Sequence, residues 1–308
     1  RTTDRLRRAC AGQFDGRRAE PGKQRGADVF RPSGRCGRRL FADRHRPQTC
    51  QFTSTFGCGL SFVELDRDGW ADIVAVCPKP AFFRNRGDGT FDRVATAFAS
   101  VAEQRFHGVA VGDDDGDGRL DLYLAAYRSG ALLHNDGGKS FSDATAAMGL
   151  VPEAWGMAAS GGRTLGVHSV DLDEDGQIEL LVANDLSPGD LFVRAGDKFD
   201  NRGMARGVAY SEIGKVHAGM GVDSGDSNRD GKLVVLTTAF EFEGASLYQQ
   251  GTAMTFADTA WPLGIGGPTA KWVGFGTRMA DFDNDGWLDI LVANGHPISN
   301  AEEIFPRT

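Results

Sequence analysis

The sequence predicts an all-β fold assembled from repeated four-stranded antiparallel units, on three observations. Five acidic loops recur along the chain, their first positions 49, 58, 55 and 55 residues apart, and a period of that length marks an array of similar units. Each loop is followed by an apolar, β-branched run, ADIVAV, LDLYLAAY, IELLVAN, LVVLTT or LDILVAN, which is the composition of a buried strand. The 42 glycines in 308 residues suit a turn-dense β architecture better than a helical one.

The loops read Glu64-Leu-Asp66-Arg-Asp68-Gly69, Asp113-Asp-Asp115-Gly-Asp117-Gly118, Asp171-Leu-Asp173-Glu-Asp175-Gly176, Asp226-Ser-Asn228-Arg-Asp230-Gly231 and Asp281-Phe-Asp283-Asn-Asp285-Gly286. Side-chain oxygens at positions 1, 3 and 5, a glycine at 6 for the sharp turn and a backbone carbonyl at 7 suit a hard cation with six to eight oxygen ligands, which means calcium. The seventh residues, offering the carbonyl, are Trp70, Arg119, Gln177, Lys232 and Trp287. Position 9 adds a carboxylate in four loops, from Asp72, Asp121, Glu179 and Asp289. The fourth loop has Val234 there and Asn228 at position 3, so of up to five calcium sites it is the weakest. An EF-hand is excluded, because it needs a glutamate at position 12 and the twelfth residues are Ala75, Leu124, Val182, Thr237 and Val292. One such loop alone reads equally well as a solvated acidic turn. Five in register, with their crowded carboxylates, call for a neutralising cation.

The second unit shows the layout. A strand from His107 enters the loop at Asp113, Leu120 to Tyr127 leaves it, Ala131 to Asn135 forms a third strand and Phe141 onwards a fourth. Equivalents of the last two strands are FFRNRGDGTFDRVA, DLFVRAGDKFDNRG and SLYQQGTAMTFADTA. Four-stranded meanders of this length predict a β-propeller with calcium loops between the first two strands of each blade. Five blades are expected, closed by N-terminal strands near Phe30 and Phe41, or else a truncated larger propeller.

The loops resemble FG-GAP (VCBS) repeats, the calcium-bearing blades of the integrin α-subunit propeller. More narrowly, HGVAVGDDDGDGRLDLYLAAY, LVAND, HAGMGVDSGD and VGFGTRMADFDNDGWLDILVANGH are similar to the cartilage acidic protein and ASPIC/UnbV group, over about Phe56 to His296. The resemblance implies an extracellular or surface calcium-binding propeller without established catalysis. The chain departs from that group in ending twelve residues after His296, with no C-terminal ASPIC/UnbV domain.

The domain reading is an atypical basic segment over 1–50, the propeller over 51–300 and a tail over 301–308. Residues 1–50 hold 14 Lys and Arg against 5 Asp and Glu, while the whole chain carries −8. That segment lacks aromatic interleaving or a recognisable nucleic-acid motif, so no nucleic-acid partner is expected. No apolar run reaches 18 residues, and no membrane insertion is expected. All five cysteines, Cys10, Cys36, Cys50, Cys58 and Cys77, fall in the first quarter. Pairing Glu64 with Asp72 sets Cys58 nearly opposite Cys77, where a cross-strand disulfide and two buried thiols are both open.

No GxSxG, P-loop or HExxH is present, and no catalytic residue is assigned. His107, His168, His217 and His296 recur at about the blade period and read as packed or hydrogen-bonded side chains. The rings of Trp70 and Trp287 are expected to cover the neighbouring blade. Trp155, Trp261 and Trp272 are expected in the core or between blades. The function expected is a binding or adhesion module for a protein or glycan ligand, with structural calcium and no enzymatic activity. The alternatives are a carbohydrate-active enzyme of the polysaccharide lyase type and a truncated paralogue.

Overall fold

The computed structural model describes residues 59–76, 79–126, 129–150 and 163–296. Four four-stranded antiparallel meanders follow one another: β1 (Leu60–Val63) to β4 (Phe91–Val94), β5 (Phe106–Gly112) to β8 (Phe141–Asp143), β9 (Arg163–Val170) to β12 (Lys198–Asn201), and β13 (Val222–Gly225) to β16 (Phe256–Asp258). A two-stranded sheet, β17 (Val273–Ala280) with β18 (Asp289–Gly295), comes last. The expected strands at Phe30 and Phe41, the basic segment 1–50, the tail 301–308, Cys58, Cys77 and Trp155 lie outside the described residues.

The sheets stack as successive propeller blades. The second strand of each meander is buried on both faces, as in β6 (Asp121–Ala126) and β10 (Glu179–Asp185), which is why these runs are continuously apolar. Odd and even residues serve different neighbours. Leu122 and Leu124 of β6 pack with Val74 and Phe82 of the first blade, whereas Tyr123 packs with Leu180 and Phe192 of the third. Likewise Leu181 of β10 meets Val235 and Tyr248 of the fourth blade, and Leu236 and Leu247 meet Met279 of the fifth.

The first strands pack against one another, β5 on β9, β9 on β13 and β13 on β17. Glycine makes this approach possible. A Cβ added at Gly108 would lie 2.9 Å from the Leu165 carbonyl oxygen, and one at Gly166 2.6 Å from that of Met220. Gly221 stands in the same relation to Phe275. The blades therefore converge backbone to backbone along their innermost strands, with no room for a side chain.

In the first hairpin Val63, not Glu64, stands opposite Asp72. Glu64 already belongs to the turn. Trp261 and Trp272 are not in the core: they are 47% and 40% exposed, in the connection between β16 and β17.

Candidate metal centre

Four of the acidic loops join the first two strands of a meander, and the fifth joins β17 to β18. Their backbone path is shared. Position 4 adopts positive φ in every loop, at Arg67 (60°), Gly116 (73°), Glu174 (60°), Arg229 (60°) and Asn284 (58°), as does the glycine at position 6. These left-handed residues turn the peptide N–H groups inward onto the acidic side chains. Asp113 accepts from Gly116 N (2.9 Å) and Gly118 N (2.8 Å), Asp171 from Asp175 N and Gly176 N, Asp226 from Gly231 N, Asp281 from Gly286 N, and Glu64 from Asp68 N. Position 5 accepts the N–H of position 7: Asp68 from Trp70, Asp117 from Arg119, Asp175 from Gln177, Asp230 from Lys232 and Asp285 from Trp287.

Position 9 has a role that sequence reading missed. Asp72, Asp121 and Glu179 are buried at the root of the hairpin and each clamps the loop. Their carboxylates accept the N–H of position 2, from Leu65 (3.2 Å), Asp114 (2.9 Å) and Leu172 (2.8 Å), and Asp289 does the same for Phe282 (3.1 Å). The second oxygen of Asp72 and of Asp121 accepts the N–H of Asn85 or Asn135 at the end of the third strand, both at 2.8 Å.

Several of these carboxylates converge. Ligand atoms within 4.8 Å of one another are offered by Glu64, Asp66 and Asp72; by Asp113, Asp115 and Asp117; by Asp171, Asp173 and Glu179; and by Asp281, Asp283 and Asp285. His134 joins Asp115 and Asp121 in a further group. Loop 4 contributes no such group among the described residues. Its Asn228 amide instead donates to Asp230 (2.8 Å), and that bond holds the Asp230 carboxyl below its usual range. Four carboxylates of the first three loops shift the opposite way. Burial, reinforced by Asp173, Asp175 and Asp171, pushes Glu179 up to about 7 against the pull of the Leu172 N–H. Burial likewise raises Asp72, Asp121 and Asp173.

The donor set fits calcium: oxygen ligands, net negative charge, and one buried oxygen, Asp66 Oδ1, without a hydrogen-bond partner. A bound cation would neutralise the cluster and stiffen the turn. Two loops also carry resident cations. Arg84 of β3 (Pro80–Asn85) binds both Asp66 and Asp68, and Arg119 binds Asp117.

A second set of side chains ties the first three loops to the next blade. The residue of the third strand that pairs with the phenylalanine of the fourth is Asn85, Asn135, Arg194 or Gln250. Asn135 Nδ2 donates to Leu65 O (3.0 Å), Arg194 Nη2 to Asp114 O (3.4 Å) and Gln250 Nε2 to Leu172 O (3.0 Å). Each acceptor is the position 2 carbonyl of the preceding blade's loop. The Arg67 guanidinium crosses to Asp117 O (3.3 Å), and that of Arg229 lies 4.8 Å from the Trp287 ring centre. Trp70 lies against Gly87 of its own blade.

The blade period and loop chemistry have their counterpart in a family comparison. The model of the FG-GAP-like repeat matches residues 64–124 and 113–182. FG-GAP-like repeats are thus found over residues 64–182. The matched span takes in the first three acidic loops and ends in β10. No curated protein matches the chain. Among solved structures, similarity is found to an Agrocybe aegerita lectin that recognises non-reducing terminal N-acetylglucosamine (17% identity, 77% of this chain and 56% of that one, TM-score 0.40). It is also found to the rhamnogalacturonan lyase PL11 of Bacillus licheniformis (14%, 76% and 55%, 0.34) and the rhamnogalacturonan lyase YesW (13%, 76% and 55%, 0.35). The chain thus spans little more than half the length of each.

His168 and His217 sit in the packing. His168 Nε2 lies 2.9 Å from Ser224 Oγ across two blades, and His217 Nε2 lies 2.9 Å from Ser246 Oγ. Ser246 is buried and donates to Asp258 (2.8 Å), so this pair offers no accessible nucleophile. Burial lowers the pKa of both imidazoles. No helix among the described residues is long and apolar enough to cross a membrane.

Proposed function

We propose that this chain is a calcium-stabilised β-propeller that acts as an extracellular or cell-surface binding module for a protein or glycan, without catalysis of its own. The metal's role is structural: the same turns hold the acidic clusters, the strand clamps and the links to the next blade. The narrower likeness to the cartilage acidic protein and ASPIC/UnbV group belongs to this proposal.

One observation carries the placement of the ligand surface. Antiparallel hairpins put the acidic loops at one end of the blades and the connections between second and third strands at the other. At that other end apolar side chains stand in solvent: Leu186, Phe242, Trp261 and Trp272. Phe242 is 85% exposed at φ 71°, and Leu186, in the equivalent connection of the preceding blade, has φ 56°. Non-glycine residues in this region store strain that clusters at functional sites, and half-exposed aromatic rings are the material of binding surfaces.

The test is capture by an array of immobilised neutral and acidic glycans and by surface-protein extracts, comparing wild type with Phe242→Ser and Trp272→Ala. Both variants should keep the wild-type calcium-dependent melting and lose capture. Retained capture by both would remove this face as the ligand surface. Release of unsaturated products from acidic polysaccharides would instead establish the lyase alternative.

A further inference from the structure

We propose that Arg84 is a built-in competitor for the cation of loop 1, so that a metal entering this loop must first displace a guanidinium. The inference rests on reading the loops as cation sites, and it concerns what sets their different affinities.

Arg84 stands one residue before Asn85 in β3, and the strand pairing identifies its counterparts. Asn85, Asn135, Arg194 and Gln250 pair with Phe91, Phe141, Phe199 and Phe256, so the residues before them, Arg84, His134, Val193 and Gln249, occupy one structural position. That position faces the loop of its own blade. Arg84 Nε binds Asp66 Oδ2, and its Nη2 binds Asp68 Oδ2 at 2.9 Å. His134 Nδ1 lies 3.3 Å from both Asp115 and Asp121. Val193 brings no polar group to loop 3. One strand position thus supplies a permanent cation in blade 1, a titratable base in blade 2 and nothing in blade 3.

The competition in loop 1 is direct. Positions 3 and 5 are the carboxylates a calcium ion would take, and Arg84 engages both. The Asp66 side chain is only 5% exposed, so its bond to Arg84 is shielded from water and holds at moderate salt. The oxygen left over, Asp66 Oδ1, is buried without a partner, so the guanidinium neutralises the pair while leaving one ligand oxygen for a cation that dislodges it. Arginine cannot give up its proton to make way.

Terbium luminescence sensitised by Trp70, the seventh residue of loop 1, reports this site when Trp287→Phe removes the corresponding reporter from loop 5. In that background, Arg84→Gln should tighten terbium binding at loop 1 about tenfold or more, and calcium should displace the signal at correspondingly lower concentration. Arg84→Lys, which keeps the charge but loses the two-pronged geometry, should fall between and guards against a folding defect in the glutamine variant. Arg86→Gln removes the same charge two residues away, from a side chain paired with Asp92, and should leave the affinity unchanged. Equal affinities in wild type and Arg84→Gln, an equal gain in Arg86→Gln, or no Trp70 signal in any variant would each overturn the proposal. In the last case a Trp287-dependent signal in the wild type shows whether the cation reading of the other loops survives.

Discussion

Replacing Asn135 with alanine should destabilise the protein by about 2–4 kcal/mol, because one buried amide serves two blades. Its Nδ2 donates to Leu120 O in its own blade and to Leu65 O in the preceding one, both at 3.0 Å. Its Oδ1 accepts from Gly137 N and Gly138 N. Four hydrogen bonds at about 1 kcal/mol each set the upper figure, and water entering the vacated space restores part of it. In a domain of this size about 2–4 °C of melting temperature accompanies each kcal/mol, so a drop near 10 °C is expected. Urea unfolding followed by circular dichroism at saturating calcium gives the free energy directly. Asn85→Ala is the internal control. Asn85 makes the same local bonds, to Ala71 O (2.8 Å) and from Gly87 N (2.9 Å), but is only partly buried, and it should cost about 1–2 kcal/mol. A loss below about 1 kcal/mol in Asn135→Ala, or equal losses in the two variants, would refute the reasoning that the amide joins the blades.

Calcium should raise the melting temperature relative to EDTA by about 1 kcal/mol of stability per occupied site at extracellular concentrations. The double change Asp283→Asn with Asp285→Asn should reduce that shift in a calorimetric scan, whereas Asp226→Asn should leave most of it. Gly166→Ala should destabilise by about 1–3 kcal/mol through overpacking, since its Cβ would lie 2.6 Å from the Met220 carbonyl oxygen; wild-type urea midpoints would exclude the backbone contact of β9 with the next blade. Asp190 sets a pH dependence. Burial, opposed by bonds from Asn184 and Asn201, raises its pKa to about 6. The folded state therefore binds this proton more tightly than the unfolded chain. The contribution is fully present below the ordinary carboxylate pKa of about 3.8 and is lost as pH rises through about 6, by roughly 3 kcal/mol in all. Asp190→Asn should flatten the stability profile between pH 4 and 6, and an unchanged slope would assign it to other groups.

The strands and loops were legible because their signals are local. Alternate acidic positions, a glycine and an apolar run sit within a dozen residues, and the four-stranded order follows from repeating them. What escaped was most of what joins the blades, the contact of Trp287 with Arg229 of the preceding blade apart. That Gly108, Gly166 and Gly221 serve close approach cannot be read from one strand, because the atoms they avoid lie more than 50 residues away. The Asn135, Arg194 and Gln250 links were hidden for a different reason: three side-chain types do one job, so no common letter marks the position. Trp261 and Trp272 were expected in the core or between blades, but they stand 47% and 40% exposed in the connection between β16 and β17. At the acidic loops, the ninth carboxylate was read as a ligand alone, and its second role, holding the peptide N–H of position 2, depends on a backbone path that the sequence does not spell out.

That clamp bears on what a metal would do. The residue at position 2 has its N–H held by the ninth carboxylate and, in the first three loops, its carbonyl held by the next blade. Of positions 1, 3 and 5, which would hold a cation, the first two flank that same residue. A cation bound there would stiffen the peptide that both its own blade and the following one grip, so its removal should loosen the seam between blades as well as the loop. Hydrogen exchange would separate the two effects. Loss of protection at Leu65, Asp114 and Leu172 together with the third strands beyond them supports coupling through the seam, while loss confined to the loop residues would limit the metal to local order.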